Sequence, residues 1–250
     1  MGSMVCQAVA ADPDLALVAA VDPHHSGLEL SRVAGVHGVE VHVSGDPQTF
    51  VDAKVDVVID FTEASAARGN LVWLGRHSIH AVVGTTGFSE ADVDSFRKAF
   101  TTSNCVIAPN FAIGAMLMMR FAELAAPFFD TAEIIELHHD EKIDAPSGTA
   151  MLTAERMAAA SSTWGVDPTE STVIDGARGG VGPGGIHVHS VRMQGMVAHQ
   201  EVILGTTGQT LTIRHDSIDR TSFMPGVILA TKVISDHPGV TIGLDGLLDL

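Results

Sequence analysis

One run of thirteen residues, His138-His139-Asp140-Glu141-Lys142-Ile143-Asp144-Ala145-Pro146-Ser147-Gly148-Thr149-Ala150, gathers groups suited to proton transfer and anion binding. Proton transfer near neutral pH needs a group whose pKa lies near 7, and histidine starts at about 6.5. Lys142 can hold a carboxylate, or give up a proton where its surroundings depress its pKa. Pro146, Ser147 and the small residues after them predict a helix N-terminus with open backbone N–H groups. Such an end attracts anions through those N–H groups and the helix dipole. A proton donor beside an anion cradle fits the reduction of a carboxylated substrate. Adjacent histidines also occur in solvated loops and metal sites, and Ser147 would cap a helix in any setting, so the residues alone leave these readings open.

Three other places carry candidate chemistry. Asp22 follows the apolar run 15–21, where dinucleotide-binding folds put a carboxylate on the adenosine ribose. A turn residue ahead of Pro23 would look the same. No arginine follows Asp22 directly, and His24 and His25 offer a 2′-phosphate only weak partners, so NADH and NADPH both stay open. Gly84-Thr85-Thr86-Gly87 joins glycines that permit close approach of a cofactor to hydroxyls that can donate to it. The same tetrapeptide recurs at 205–208, where a hairpin turn is expected, so position rather than composition favours the first copy. His187, His189, His199 and His215 fall in strand-like runs and suit structural or interface roles better than a metal. Cys6 and Cys105 are not spaced for zinc, and Arg178 is either an anion contact or a solvated side chain.

The elements that must position these groups change character along the chain. Apolar runs at 15–21, 55–61, 80–84 and 105–108 alternate with helix-length segments at 64–77 and 89–100, the latter opening on Ser89 with Asp92 three residues on. That alternation predicts a doubly wound parallel sheet whose ligands sit at the carboxyl ends of strands. Asp22, Thr62, Gly84 and Pro109-Asn110 lie at such ends. A Met- and Ala-rich helix is expected over 113–128, then a strand over 133–138, a helix from about 147, and a Gly-rich stretch over 176–185. Runs at 187–193, 198–204 and 210–215 predict a three-stranded antiparallel meander, and a helix near 225–235 with a strand near 240–242 returns to the first domain. The expected domains are 1–111 with 226–250, for dinucleotide binding, and 112–225, for substrate binding and oligomerisation. A dinucleotide fold opens with a strand and a glycine-rich turn, whereas here the first pattern, at 3–10, is helical and only Gly2 matches the fingerprint. Residues encoded upstream of Met1 are therefore expected.

Composition bounds the partners. The chain has 250 residues, 46% hydrophobic and 18% charged, which suffices for a substantial core in one or two domains. A net charge of −16 disfavours nucleic acid and anionic membranes, and means that an anionic substrate needs a local basic pocket. Two cysteines, no apolar run of about 18 residues and no signal-peptide pattern lead to the expectation of a cytoplasmic protein.

The thirteen-residue run resembles the signature of the 4-hydroxy-tetrahydrodipicolinate (dihydrodipicolinate) reductases of lysine biosynthesis. The resemblance extends through Ile59-Asp60-Phe61-Thr62, Gly84 to Phe88, Ala108-Pro109-Asn110-Phe111, His187 to Arg192, Arg214-His215-Asp216-Ser217 and Ser222-Phe223, in the family's order. It implies an α/β fold: a Rossmann-like doubly wound parallel sheet, its first strand missing here, plus an α+β domain whose mixed sheet assembles a homotetramer. It implies that His138 is the acid/base residue and Lys142 the proton donor, with His139, Gly148 and Thr149 binding a dicarboxylate substrate. Asp22, Gly84, Thr85, Thr86, Ala108, Pro109, Asn110 and Phe111 are the implied contacts to NADH or NADPH, and no metal is implied. Two readings compete with it: a histidine-based metalloprotein, and a truncated, non-catalytic relative.

Overall fold

Short β-branched runs make parallel strands in the first of two units, Met1–Ile113 with the chain from Arg220 onward, in a computed structural model that describes residues 1–248. Helix α1 (Gly2–Ala11) buries Val5 and Val9. Strand β1 (Ala20–Val21), helix α2 (Leu30–Ala34), strand β2 (Val43–Ser44) and helix α3 (Gln48–Asp52) follow. Then come strand β3 (Val57–Asp60), helix α4 (Ala64–Arg76), strand β4 (His80–Val83), helix α5 (Glu90–Ala99) and strand β5 (Cys105–Ile107). Ala67, Leu71 and Leu74 recur at helical spacing and bury one face of α4. Helix α5 begins at Ser89, where Ser89 and Asp92 each accept the other's backbone N–H in a capping box. The core joins Leu71, Leu74, Phe96 and Phe100 to the buried strands. Strands covered on both faces need continuous apolar runs, which β4 and β5 supply.

The parallel sheet of this unit is in two pieces. β3, β4 and β5 pair in that order, while β1 pairs only with β2. A cavity of about 920 Å³ separates them, lined by Val5, Cys6 and Val9 of α1, by residues 14–21 and by residues 55–59. The strand expected over 15–21 is thereby shortened to Ala20–Val21, because residues 15–19 border the cavity and have no strand to pair with. A gap therefore lies between β1 and β3.

The second unit, Gly114–Asp219, holds most of α6 (Ile113–Ala125), which tightens into a 3-10 turn at Ala126–Phe128 where Pro127 has no N–H to continue the helix. Strand β6 (Thr131–His138), helix α7 (Gly148–Ala160), strand β7 (Gly180–Val181) and strands β8 (His187–Arg192), β9 (Ala198–Thr206) and β10 (Gln209–Ser217) complete it. Their order in the sheet is β10-β9-β6-β8-β7. The expected meander is corrected here: β9 and β10 form the hairpin, but β6 lies between β8 and β9, parallel to the one and antiparallel to the other. Ile134, Val188, Val202 and Leu204 on one sheet face pack with Ala150, Ala154 and Met157 of α7.

The chain then re-enters the first unit through helix α8 (Met224–Val233) and strand β11 (Val240–Ile242), which pairs parallel with β5. Among the described residues no helix is long and apolar enough to cross a membrane.

Candidate active site

Strand periodicity of two puts Glu136 and His138 on the same face of β6, the face that meets α7. Glu136 is fully buried and engaged on both oxygens. Oε1 accepts from Arg192 Nη2 at 2.8 Å and from the Ser147 backbone N–H at 3.2 Å. Oε2 accepts from Arg192 Nη1 at 2.9 Å and lies 2.5 Å from His138 Nδ1. Arg192 arrives from β8, whose register pairs it with His138, and it also donates to the Asp144 carbonyl at 2.7 Å. Lys142 Nζ donates to both carboxylate oxygens of Asp144, at 2.7 and 2.8 Å. Ser147 caps α7, its hydroxyl accepting the Ala150 N–H at 3.2 Å.

The charges of this cluster are tuned by burial and pairing. Burial alone would raise the Glu136 carboxyl, but Arg192, Ser190 and His138 together hold it below its ordinary value. Burial drives the His138 ring down; Glu136 opposes this, while Lys142 and Arg192 reinforce it. Lys142 holds Asp144 below the usual carboxylate range. His139 and Gly148 are exposed, and a Cβ at Gly148 would meet nothing within 4 Å, so the helix start is open. Thr149 is half-buried, and its carbonyl accepts from the Thr153 hydroxyl at 2.7 Å. The unit therefore brings His138, Ser147 and the start of α7 around one buried carboxylate, with Lys142 near enough to act on the His138 ring.

The cofactor candidates all lie in the first unit. Gly84 follows β4, and a Cβ there would lie 2.0 Å from the Phe61 ring, so only glycine fits between that ring and the chain. Thr85 is buried and spends its hydroxyl hydrogen on the Thr62 carbonyl at 2.6 Å, whereas Thr86 is exposed. Asp60, also buried, accepts from the Thr62 N–H and hydroxyl at 2.7 and 2.6 Å and from Asn70 at 2.9 Å. Ala108 is buried after β5, Pro109 is exposed, Asn110 Oδ1 accepts the Ala112 N–H at 2.9 Å, and Phe111 packs against Phe61 at 5.9 Å. Asp22 follows β1; its carboxylate is held below its usual range by His25 Nδ1 at 2.7 Å and then by the His24 N–H at 2.9 Å. A glycine strand end with no room for a side chain, and a carboxylate just past the end of another parallel strand, suit a dinucleotide.

The histidines of the strand-like runs are engaged within their own unit. His187 and His189 contact Asp167 and Glu133, at 3.1 and 2.6 Å, and His199 contacts Asp216 at 2.6 Å. The His215 ring is pressed on Gly114, where a Cβ would lie 2.5 Å from it. Arg178 is paired with Glu133 and Asp167 while its side chain stays partly exposed. Sequence reasoning missed Glu136, Arg192 and Asp60. For Glu136 a signal existed: its spacing of two from His138 on a strand puts both on one face.

Comparison with known proteins bears on both units. The family model described as "Dihydrodipicolinate reductase, N-terminus" matches residues 1–111, and the one described as "Dihydrodipicolinate reductase, C-terminus" matches residues 114–248. A 4-hydroxy-tetrahydrodipicolinate reductase of Nocardia farcinica is 51% identical, covering 100% of this chain and 95% of its own. One from Cutibacterium acnes is 48% identical with the same coverage. A solved dihydrodipicolinate reductase of a Paenisporosarcina species, bound to dipicolinate, superposes with a TM-score of 0.85 at 37% identity, over 98% of this chain and 94% of that one.

Proposed function

The chain belongs to the dihydrodipicolinate (4-hydroxy-tetrahydrodipicolinate) reductase family, and from that premise we propose which of its residues perform the family's reaction. The reaction is the NAD(P)H-dependent reduction of 4-hydroxy-tetrahydrodipicolinate to tetrahydrodipicolinate in lysine biosynthesis. The observation that carries the assignment is a His138 whose Nδ1 is held by Glu136, beside a capped, open helix start at Ser147-Gly148-Thr149.

In this reading Gly148, Thr149 and His139 hold the substrate carboxylates, the N–H groups and dipole of α7 supplying the attraction. Such a cradle overcomes the net charge of −16 at short range, because distant surface charges are screened. His138, its Nδ1 occupied, presents Nε2 to the ring carbon that takes up a proton, and Lys142 is the alternative donor. Asp22 holds the adenosine ribose, while Gly84, Thr85, Thr86, Ala108, Pro109, Asn110 and Phe111 surround the nicotinamide. When bound, the reduced nicotinamide supplies the hydride. Dipicolinate in the Paenisporosarcina relative supports a planar dicarboxylate ring as the ligand class.

Turnover is tested with enzymatically generated substrate, following the oxidation of NADH and of NADPH. Consumption of at least one is expected, and none with either would remove the reading for this chain. The same reading makes the protein a cytoplasmic homotetramer. Support comes from the β6 face turned away from α7, where Ile135, Leu137, Val191 and Ile203 are only half-buried. Light scattering should give four times the mass of one chain, and a monomer would overturn that assembly.

A further inference from the structure

We infer that Glu136 is a positioning residue for the reduction, fixing the tautomer of His138 and tying that ring to the anion-binding end of α7. The inference rests on the assignment of His138 as proton donor made above. Its ground is the completeness of the carboxylate's coordination. Four N–H donors converge on Glu136, two from Arg192, one from Ser147 and one from His138, and the residue is fully buried. A carboxylate accepts and cannot donate, so the His138 nitrogen facing it carries the hydrogen. The neutral ring is then the Nδ1–H tautomer, and its Nε2 is the nitrogen that gains and loses the proton. The same carboxylate takes the Ser147 N–H at the helix start, so ring and cradle share one rigid anchor.

An amide cannot replace this carboxylate. In either orientation the NH2 of a glutamine at 136 would face one N–H of Arg192 together with an N–H of Ser147 or of His138. A donor would oppose donors, and the ring would turn or the helix start would be released. The charged groups facing His138 are Glu136 on its own strand, Arg192 on β8, and Lys142 with its partner Asp144 in the following loop. Loss of the one negative charge in direct contact with the ring leaves Arg192 without its carboxylate partner, while Lys142 keeps Asp144.

The test uses the full chain with 15N-labelled histidine, the His138 signals being identified by their loss in H138Q. Wild type should show the Nδ1–H tautomer. In E136Q the Nε2–H form should appear, the ring's titration midpoint should fall by about one pH unit, and kcat should fall on the order of 10²-fold, with KM for NADH within about threefold. E136D, which keeps the charge, should restore the midpoint to within about 0.3 of wild type while kcat stays reduced; it also serves if E136Q fails to fold. A ring with unchanged tautomer and midpoint in E136Q, or a midpoint in E136D that falls by the full unit, would overturn the inference. H138Q separates the two layers. If H138Q keeps wild-type kcat, the proton-donor assignment falls and this inference with it; if H138Q is crippled while E136Q is not, only the role of Glu136 falls.

Discussion

Strand β6 carries two glutamates, Glu133 and Glu136, each holding a histidine and an arginine, on opposite faces of one sheet. The contacts are alike and the surroundings are not. Glu133 is 31% exposed at the side chain and Glu136 is 0% exposed. Arg178 bridges Glu133 and Asp167, and both His187 ring nitrogens are taken, by the Arg178 carbonyl and by Asp167. That set clasps the loop before β7 onto the sheet. At Glu136 the same chemistry is moved into the interior and joined to a helix start, leaving His138 Nε2 uncommitted among the described residues. A carboxylate–histidine–arginine group therefore becomes chemical through burial and a free ring nitrogen beside an anion site, not through its composition.

The contrast can be broken by substitution. H138Q should lower kcat/KM on the order of 10²- to 10⁴-fold in the coupled reductase assay, and H189Q by less than about threefold. E136Q strands Arg192 beside a neutral partner and should cost about 3–5 kcal/mol in a denaturant titration. Its counterpart E133Q sits in reach of water and should cost about 0–1 kcal/mol. S147A removes the cap of α7, for about 1 kcal/mol, and should raise substrate KM while leaving NADH binding unchanged.

Acid gives a further, smaller separation. Both glutamates are held below their ordinary value, so each contributes stability that is present above about pH 4.3 and lost as pH falls through its lowered folded value. His138 is also lowered, so its unfolded form takes up protons first and stability declines as pH falls below about 6.5. Tm should therefore fall from pH 7 to pH 4, and its slope below about pH 4.3 should flatten more in E136Q than in E133Q. Equal flattening in the two variants would remove the distinction drawn between the faces.

Much of this was legible locally. The capping pair Ser89 and Asp92, the helical stripe of α4 and the glycine after β4 are patterns within a few residues. The thirteen-residue run likewise announced a capped helix start beside titratable groups, and α7 begins there. Two things were not legible. The insertion of β6 between β8 and β9 is a long-range pairing, and alternation in three successive strands cannot state which neighbour each will take. Spacing puts Glu136 on the face of His138, but its arginine lies 56 residues away and the spacing does not state that the face is buried. Burial decided its role, and burial belongs to the assembled sheet.

The gap between β1 and β3 has a consequence for solvent exchange. His80 and Gly84 donate to the carbonyls of Asp56 and Asp60, so in a strand of period two Val57 and Ile59 direct their amides the other way, toward the cavity. These two amide hydrogens should exchange with deuterium far faster than those of Val82 and Val83 one strand over, although all four residues lie in one sheet. The same unpaired edge leaves backbone groups on which another extended chain could pair, and such pairing should slow the exchange of both amides.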